Sequence, residues 1–381
     1  MFTPVTVKPT IKIAIIRSSS IGDVVLGTAC LNFLRRSNIP YQLTWIGRGP
    51  ALQLIAAAYP EIDTVELDQG KSMSFDSLSS RLADVHLVID LQTSLRSRAL
   101  GRVLAKNYNT SVFSCSKNSI KRGRMVLNSR IRGRSKSLPE SYRSVEWHQF
   151  QNMVHTLYRG LRYQLPVESL DGLRPDLAHP ELPTEHATEL KSWQKELRFG
   201  SWVAIAPGAA HETKRAPTSL FVDILESFRE KLVAEGRPEN SVNILYVGNE
   251  VDRERSLEII DALGWKGSSL NLAGKLSLWE SALALKEVSV ALTNDSSLSH
   301  IAEAVGTPCL VMFGPTVEGF GFSPWREDSQ AISSSLGCRP CSKHGKVGCR
   351  YEDHLCFRLL SSSDIAQLLT SRVAVEEKVE S

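Results

Sequence analysis

Nowhere does the sequence approach the roughly 20 consecutive apolar residues that a membrane-crossing helix requires. That lack excludes a helical membrane span. Met1–Thr10 has two prolines and no apolar core, so it does not read as a secretory signal. The expectation is a soluble, cytoplasmic chain, or one resting on a membrane surface. No internal repeat recurs at solenoid periods. Acidic residues are missing locally: from Leu91 to Pro139 there is no Asp or Glu.

That acid-free stretch carries Arg96, Arg98, Arg102, Lys106, Lys117, Lys121, Arg122, Arg124, Arg130, Arg132, Arg134 and Lys136. The whole chain has a net charge of only +4, so this is a local positive field. Nucleic acid, anionic lipid and phosphorylated glycan all suit it, and so does a plain solvated loop. Tyr108 and Phe113 are its only aromatics, fewer than a surface for single-stranded nucleic acid uses.

Seven cysteines are present. Cys30, Cys115 and Cys309 are scattered and read as small core residues. Cys338, Cys341, Cys349 and Cys356 fall within nineteen residues and are candidates for a tetrahedral structural zinc, although the spacing fits no common ribbon. Disulfides are disfavoured in a cytoplasm.

A chain of 381 residues exceeds the size at which one core usually stops growing, so two domains are expected. Short apolar runs alternate with amphipathic ones, the rhythm of a parallel sheet wrapped by helices. Strands are predicted at Ile11–Arg17, Gln42–Gly47 and Val85–Leu91, and helices over Gly22–Arg36 and Pro50–Tyr59. Arg102–Glu140 breaks the rhythm and reads as mostly loop; Ser141–Gly160 reads as helix. Pro166–Pro183, with four prolines, is the expected linker.

Beyond the linker, a helix is predicted over Glu185–Leu197. Strands follow at Trp202–Ala206, Val242–Val247, Val288–Thr293 and, last, Cys309–Phe313. Between them helices are expected at Pro217–Ala234, Asp252–Leu263, Ser277–Lys286 and Leu298–Val305. The class is therefore α/β, with two lobes and a cleft. Its boundaries are drawn at 1–180, 185–360 and a C-terminal helix and tail at 361–381.

Five strand-end turns carry chemistry. Ser18-Ser19-Ser20-Ile21-Gly22-Asp23 follows the first strand; Gly22 permits close approach, and Asp23 is either a helix cap or a functional acid. Asn294-Asp295-Ser296-Ser297-Leu298-Ser299-His300 opens a helix whose free N–H groups suit a diphosphate. His300 is either a pocket residue or a satisfied core histidine. Pro207-Gly208 with Lys214 and Arg215 places cations beside a glycine loop. Glu250 ends Val247-Gly248-Asn249-Glu250, where an acid can accept from ribose hydroxyls. Phe313-Gly314-Pro315-Thr316 offers backbone N–H groups to phosphate.

These residues resemble the ADP-heptose:lipopolysaccharide heptosyltransferases, glycosyltransferase family 9. The likeness rests on Ser20-Ile21-Gly22-Asp23-Val24-Val25-Leu26, Pro207-Gly208 with Lys214-Arg215, Asp295-Ser296 with His300, and Phe313-Gly314-Pro315-Thr316. It implies a GT-B fold, two Rossmann-like domains facing across a cleft. The front one would hold the acceptor, the back one the nucleotide-sugar donor, and the last helix would cross back to the front. It also implies inverting, metal-independent transfer of heptose or a similar sugar to a lipopolysaccharide core or related surface glycan.

Under that resemblance Asp23 is the general base and Lys214 steadies the leaving diphosphate. The donor site comprises Gly208, Lys214, Arg215, Glu250, Asp295, Ser296, Ser297, His300, Gly314 and Thr316. The acceptor side comprises Ser20, Gly22, Arg96 and Arg98. An anionic glycolipid, with peripheral contact at the inner membrane, becomes the expected partner, and nucleic acid is disfavoured. Three positions depart from the family pattern: Ser297 stands for a glycine, Ala216 for an aromatic residue and Ala29 for a proline. Alternatives are another GT-B enzyme (a nucleotide-sugar epimerase or a transferase for a different surface polymer), an idle family member, or a noncatalytic protein binding nucleic acid or another anionic polymer.

Overall fold

In a computed structural model of the chain, the described residues are 10–67, 82, 84–116, 118–161, 170, 172–177, 193, 195–197, 200–238 and 240–373. The Pro166–Pro183 linker, the Glu185–Leu197 helix and Met1–Thr10 lie largely outside them. The chain divides into two compact units, one within Met1–Lys117 and Gln149–His179, the other within Asn118–His148 and Pro180–Ser381.

The first unit runs β1 (Ile11–Ile16), α1 (Ile21–Gly27), α2 (Ala29–Arg36), β2 (Tyr41–Gly47), α3 (Gly49–Ala58), β3 (Asp63–Glu66), β4 (Leu87–Asp90), α4 (Leu95–Tyr108) and β5 (Ser111–Ser114). After α5 (Ser119–Arg132), which belongs to the second unit, α6 (Gln149–Gly160) returns to the first. All strands are parallel, in the order β3-β2-β1-β4-β5. Buried Ile13–Ile16 and Leu87–Ile89 make near-continuous apolar strands, as a sheet covered on both faces demands. The single helix expected over Gly22–Arg36 is instead two, broken at Thr28, whose hydroxyl donates to the Val25 carbonyl.

The second unit contributes β6 (Ser201–Ala206), α7 (Thr218–Ala234), β7 (Val242–Tyr246), α8 (Glu250–Leu263), β8 (Ser269–Asn271), α9 (Leu278–Lys286), β9 (Val290–Asn294), α10 (Ser297–Ala304), β10 (Cys309–Phe313), β11 (Gln330–Ser333), α11 (Leu355–Arg358) and α12 (Ser362–Thr370). Its parallel order, β11-β10-β9-β6-β7-β8, repeats the first unit's order with one strand added. Read along the chain, that is 3-2-1-4-5-6, the Rossmann order. Its core joins Phe221, Ile224, Leu225 and Phe228 of α7 to Ile244, Leu292 and Met312 of the strands.

Three expectations are corrected. The basic stretch is not mostly loop: it forms α4 and α5. Residues 118–148 fall outside the expected front domain because α5 packs Met125 with Leu138, Val317 and Phe320, and lays Arg122 over the rings of Phe320 and Phe322. Ile365, Ala366 and Leu369 of α12, the C-terminal helix, join the second unit's core. The last strand is also β11 rather than β10.

Candidate active site

Ligands of open parallel sheets bind outside the carboxyl ends of the strands, where the strand order reverses. In the first unit that point lies between β1 and β4. β1 leads directly into Arg17, a buried arginine whose Nη2 stands 2.6 Å from Asp23 Oδ2. Its other arm donates to the Leu91 carbonyl beyond β4. Asp23 also accepts from the Ser20 hydroxyl at 2.8 Å and the Ser20 N–H at 3.3 Å. It therefore caps α1, as a helix-start acid should, and its side chain is partly exposed.

β4 supplies the floor. Buried Asp90 accepts from the Gln92 and Thr93 N–H groups. Gln92 then accepts the Ser18 and Ser19 N–H groups at 3.1 Å each. Gln92 thus fixes the turn that presents Asp23. Ser20 is the exposed N-cap of α1 and Gly22 is buried behind it. Arg96 and Arg98 lie exposed in the first turn of α4, which follows β4, the neighbour of β1; neither forms an ion pair among the described residues.

In the second unit the order reverses between β6 and β9. Asp295, directly after β9, lies 2.6 Å from Lys214 Nζ and accepts the Thr316 hydroxyl at 2.6 Å. Burial alone would raise the Asp295 carboxyl. The Lys214 charge and hydrogen bond, the Thr316 hydroxyl and His300 outweigh it, so the group sits below the ordinary carboxylate range. Asn294 ties the loops together, donating to Pro207 and accepting from Ala216 N–H. Ala216, the departure from an aromatic, is fully buried, and its carbonyl accepts from Arg255.

Positive charge gathers around Lys214. His211 is held below its usual value by burial first, then by Lys214, Lys346 and Arg215. Arg255 is lowered by burial and then by Arg215. Such a cluster suits an anion. α10 starts beside Asp295, and the buried Ser296 hydroxyl makes no hydrogen bond among the described residues. Ser297, the departure from glycine, occupies the first turn of α10. Gly208 is required for close approach: a Cβ there would collide with the Asp252 carboxylate.

The other expected residues are held by contacts of their own. Arg215 folds back on its own loop, donating to the Ala209 carbonyl. Glu250 opens α8, mostly exposed, 3.6 Å from Arg253. His300 is buried and stacked on Trp325, with ring centroids 5.7 Å apart. Gly314 lets its loop pass over the Phe357 ring. Burial pushes the Cys341 thiol up to about 12 and Cys356 to about 11, and the four clustered thiols influence one another. Among the described residues no group of three or more His, Cys, Asp or Glu side chains is gathered to hold a metal ion. Among the described residues no helix is long and apolar enough to cross a membrane.

Paired Rossmann-like units, each with a charged strand-end turn at its switch point, define the GT-B class of glycosyltransferases. A profile of glycosyltransferase family 9 (heptosyltransferase) matches residues 76–351, and the chain belongs to that family. Lipopolysaccharide heptosyltransferase 1 of Campylobacter coli is 25% identical over 319 residues, 80% of this chain and 84% of that protein. The structure of Escherichia coli ADP-heptose lipopolysaccharide heptosyltransferase II superimposes with a TM-score of 0.64 at 18% identity, covering 95% of this chain and 98% of the other. E. coli heptosyltransferase WaaC with ADP-2-deoxy-2-fluoro heptose gives 0.57 at 16% identity, covering 88% and 96%. The protein is a glycosyltransferase of a family acting in lipopolysaccharide biosynthesis.

Proposed function

We propose that this enzyme transfers heptose, or a closely similar sugar, from ADP-heptose to an anionic lipopolysaccharide-core acceptor, with inversion and without a metal. The observation that carries the reading is the cationic cluster around Lys214 at the Rossmann switch point of the second unit. It is a site for a diphosphate. The WaaC relative bound to an ADP-heptose analogue supports ADP as the nucleotide.

The first unit supplies the base. Asp23, held by Arg17, takes the proton from an acceptor hydroxyl as that oxygen bonds to the anomeric carbon. The anomeric carbon's bond to the diphosphate breaks in the same displacement, which inverts the centre. Lys214, the N–H groups opening α10 and the Ser296 hydroxyl receive the charge that develops on the leaving phosphate. Glu250 accepts from the ribose, and Arg96 and Arg98 meet anionic groups of the acceptor. Incubation with ADP-heptose, UDP-sugars and GDP-sugars, followed by product analysis, tests this. Transfer from ADP-heptose alone is expected; turnover of a UDP-sugar, or epimerisation without transfer, would overturn it.

Peripheral membrane contact belongs to the same reading. α5 exposes Ile120 (83%), Leu127 (57%) and Ile131 (78%) beside exposed Arg124 and Arg130. Apolar residues among cations suit an anionic lipid surface. Co-sedimentation with phosphatidylglycerol vesicles, weakened in L127E/I131E, is the expected result.

A further inference from the structure

The cysteine-rich segment has no place in the chemistry above, yet it reaches the candidate donor site from two directions. Arg339, between Cys338 and Pro340, is fully buried and, among the described residues, lacks a carboxylate within ion-pair distance. Its guanidinium donates to three carbonyls instead: Gly314 at 2.6 Å, Thr316 at 2.7 Å and Ser334. Gly314 and Thr316 bracket the turn after β10, and the Cys341 N–H donates to Pro315, between them, at 2.8 Å. This turn carries the hydroxyl that donates to Asp295, which in turn holds Lys214.

The segment is itself anchored. Arg132 of α5 donates to the Gly337 and Arg339 carbonyls at 2.8 Å each, and Ser129 to Pro340 at 2.6 Å. Farther along, the Gly345 carbonyl accepts the Thr213 hydroxyl, next to Lys214. A Cβ at Gly345 would stand 2.8 Å from Lys214 Cγ, and Gly345 holds a φ of +79°, a conformation that suits glycine. One short segment therefore backs Thr316 through Arg339 and Lys214 through Gly345.

We propose that Arg339 is a positioning residue for donor binding, setting the Gly314–Thr316 turn so that Thr316, Asp295 and Lys214 form the diphosphate site, with Gly345 bracing Lys214 from the same segment. The guanidinium suits this task because its planar fork can serve three carbonyls at once, which an ammonium on a flexible stem does less rigidly. The proposal rests on the donor-site reading above.

The test is a double-mutant cycle of R339K and T316V, with ADP affinity by titration calorimetry and donor KM and kcat by initial rates. A displaced site costs about tenfold to a hundredfold. Each single variant is expected to raise the ADP Kd and donor KM by about tenfold, and the double variant by little more than either, since both act through one turn. A merely structural role predicts a lower melting temperature with unchanged KM, or effects that multiply; either would overturn the proposal. G345A gives a second arm, expected to raise the donor KM similarly. Should R339K fail to fold, an unchanged KM in G345A together with full additivity of S129A and T316V would overturn it. Wild-type protein that binds ADP and transfers, beside variants that do so equally well, sinks this inference alone. Wild-type protein that binds no nucleotide at all sinks the donor-site reading and this inference with it.

Discussion

Both units place an ion pair where their strand order reverses, and the two pairs are built in opposite senses. In the first, the cation is hidden and the acid is offered: the Arg17 side chain is 2% exposed and that of Asp23 22%. In the second, the acid is the anchor: buried Asp295 is fixed by Thr316 and carries Lys214, among other cations. The same strand order thus presents a carboxylate at one switch point and an ammonium at the other. The fold fixes where a charge stands; the residue ending the strand fixes its sign. Transfer from a diphosphate leaving group needs one of each, a proton acceptor and a phosphate acceptor.

Replacing the offered acid tests the first half. D23N should lower kcat by about a thousandfold or more while ADP affinity, measured by calorimetry, holds within about twofold. An active D23N enzyme would remove the base from the first unit. K214M tests the other half, with a kcat loss of about a hundredfold to a thousandfold and weaker ADP binding. It also strands Asp295, and breaking a buried pair costs about 3–5 kcal/mol, so denaturant melts should move to lower concentrations. K214M with unaltered ADP binding would show that the second pair is only structural.

G208A sharpens the comparison at the level of packing. The added methyl meets the Asp252 carboxylate, with an expected loss of about 1–3 kcal/mol in urea unfolding; a neutral effect would mean that the loop has room. E303Q probes a buried carboxyl of α10 through its pH dependence. Burial pushes the Glu303 carboxyl up to about 7, against the opposing pull of the Arg326 and Trp325 N–H groups. A carboxyl whose folded value is raised keeps its proton longer than the unfolded chain does. Stability therefore falls as pH climbs from about 4.5 to about 7, by on the order of 3 kcal/mol. E303Q should flatten melting temperatures across that range, and an unchanged slope would show that Glu303 is not their source.

Much of the fold was legible because buried parallel strands are written as largely apolar runs, as in Ile13–Ile16 and Val290–Leu292. α5 escaped because only part of its packing is apolar: beside Met125, Arg122 lies over aromatic rings, and Ser129 reaches Pro340 across 211 positions. The short edge strands β3, β5 and β8 carry too few residues for a period to show. At the site, Asp23, Lys214 and Asp295 follow strands and were legible for that reason. Arg17 left one signal, a charge directly after a strand that has no exposed face. Gln92, Asp252 and Arg339 act through contacts between distant segments, which no local pattern records.

The membership of 118–148 in the second unit has a bearing on how the chain is made. A ribosome releases α4 and β5 of the first unit, then a helix that must wait for partners still unsynthesised, and only afterwards α6, which completes the first. Neither unit is a contiguous stretch, so cutting the gene near residue 180 leaves the front half carrying 118–148 without its partners and the back half without that piece. The two Rossmann-like lobes are born interleaved, and they will be hard to express apart.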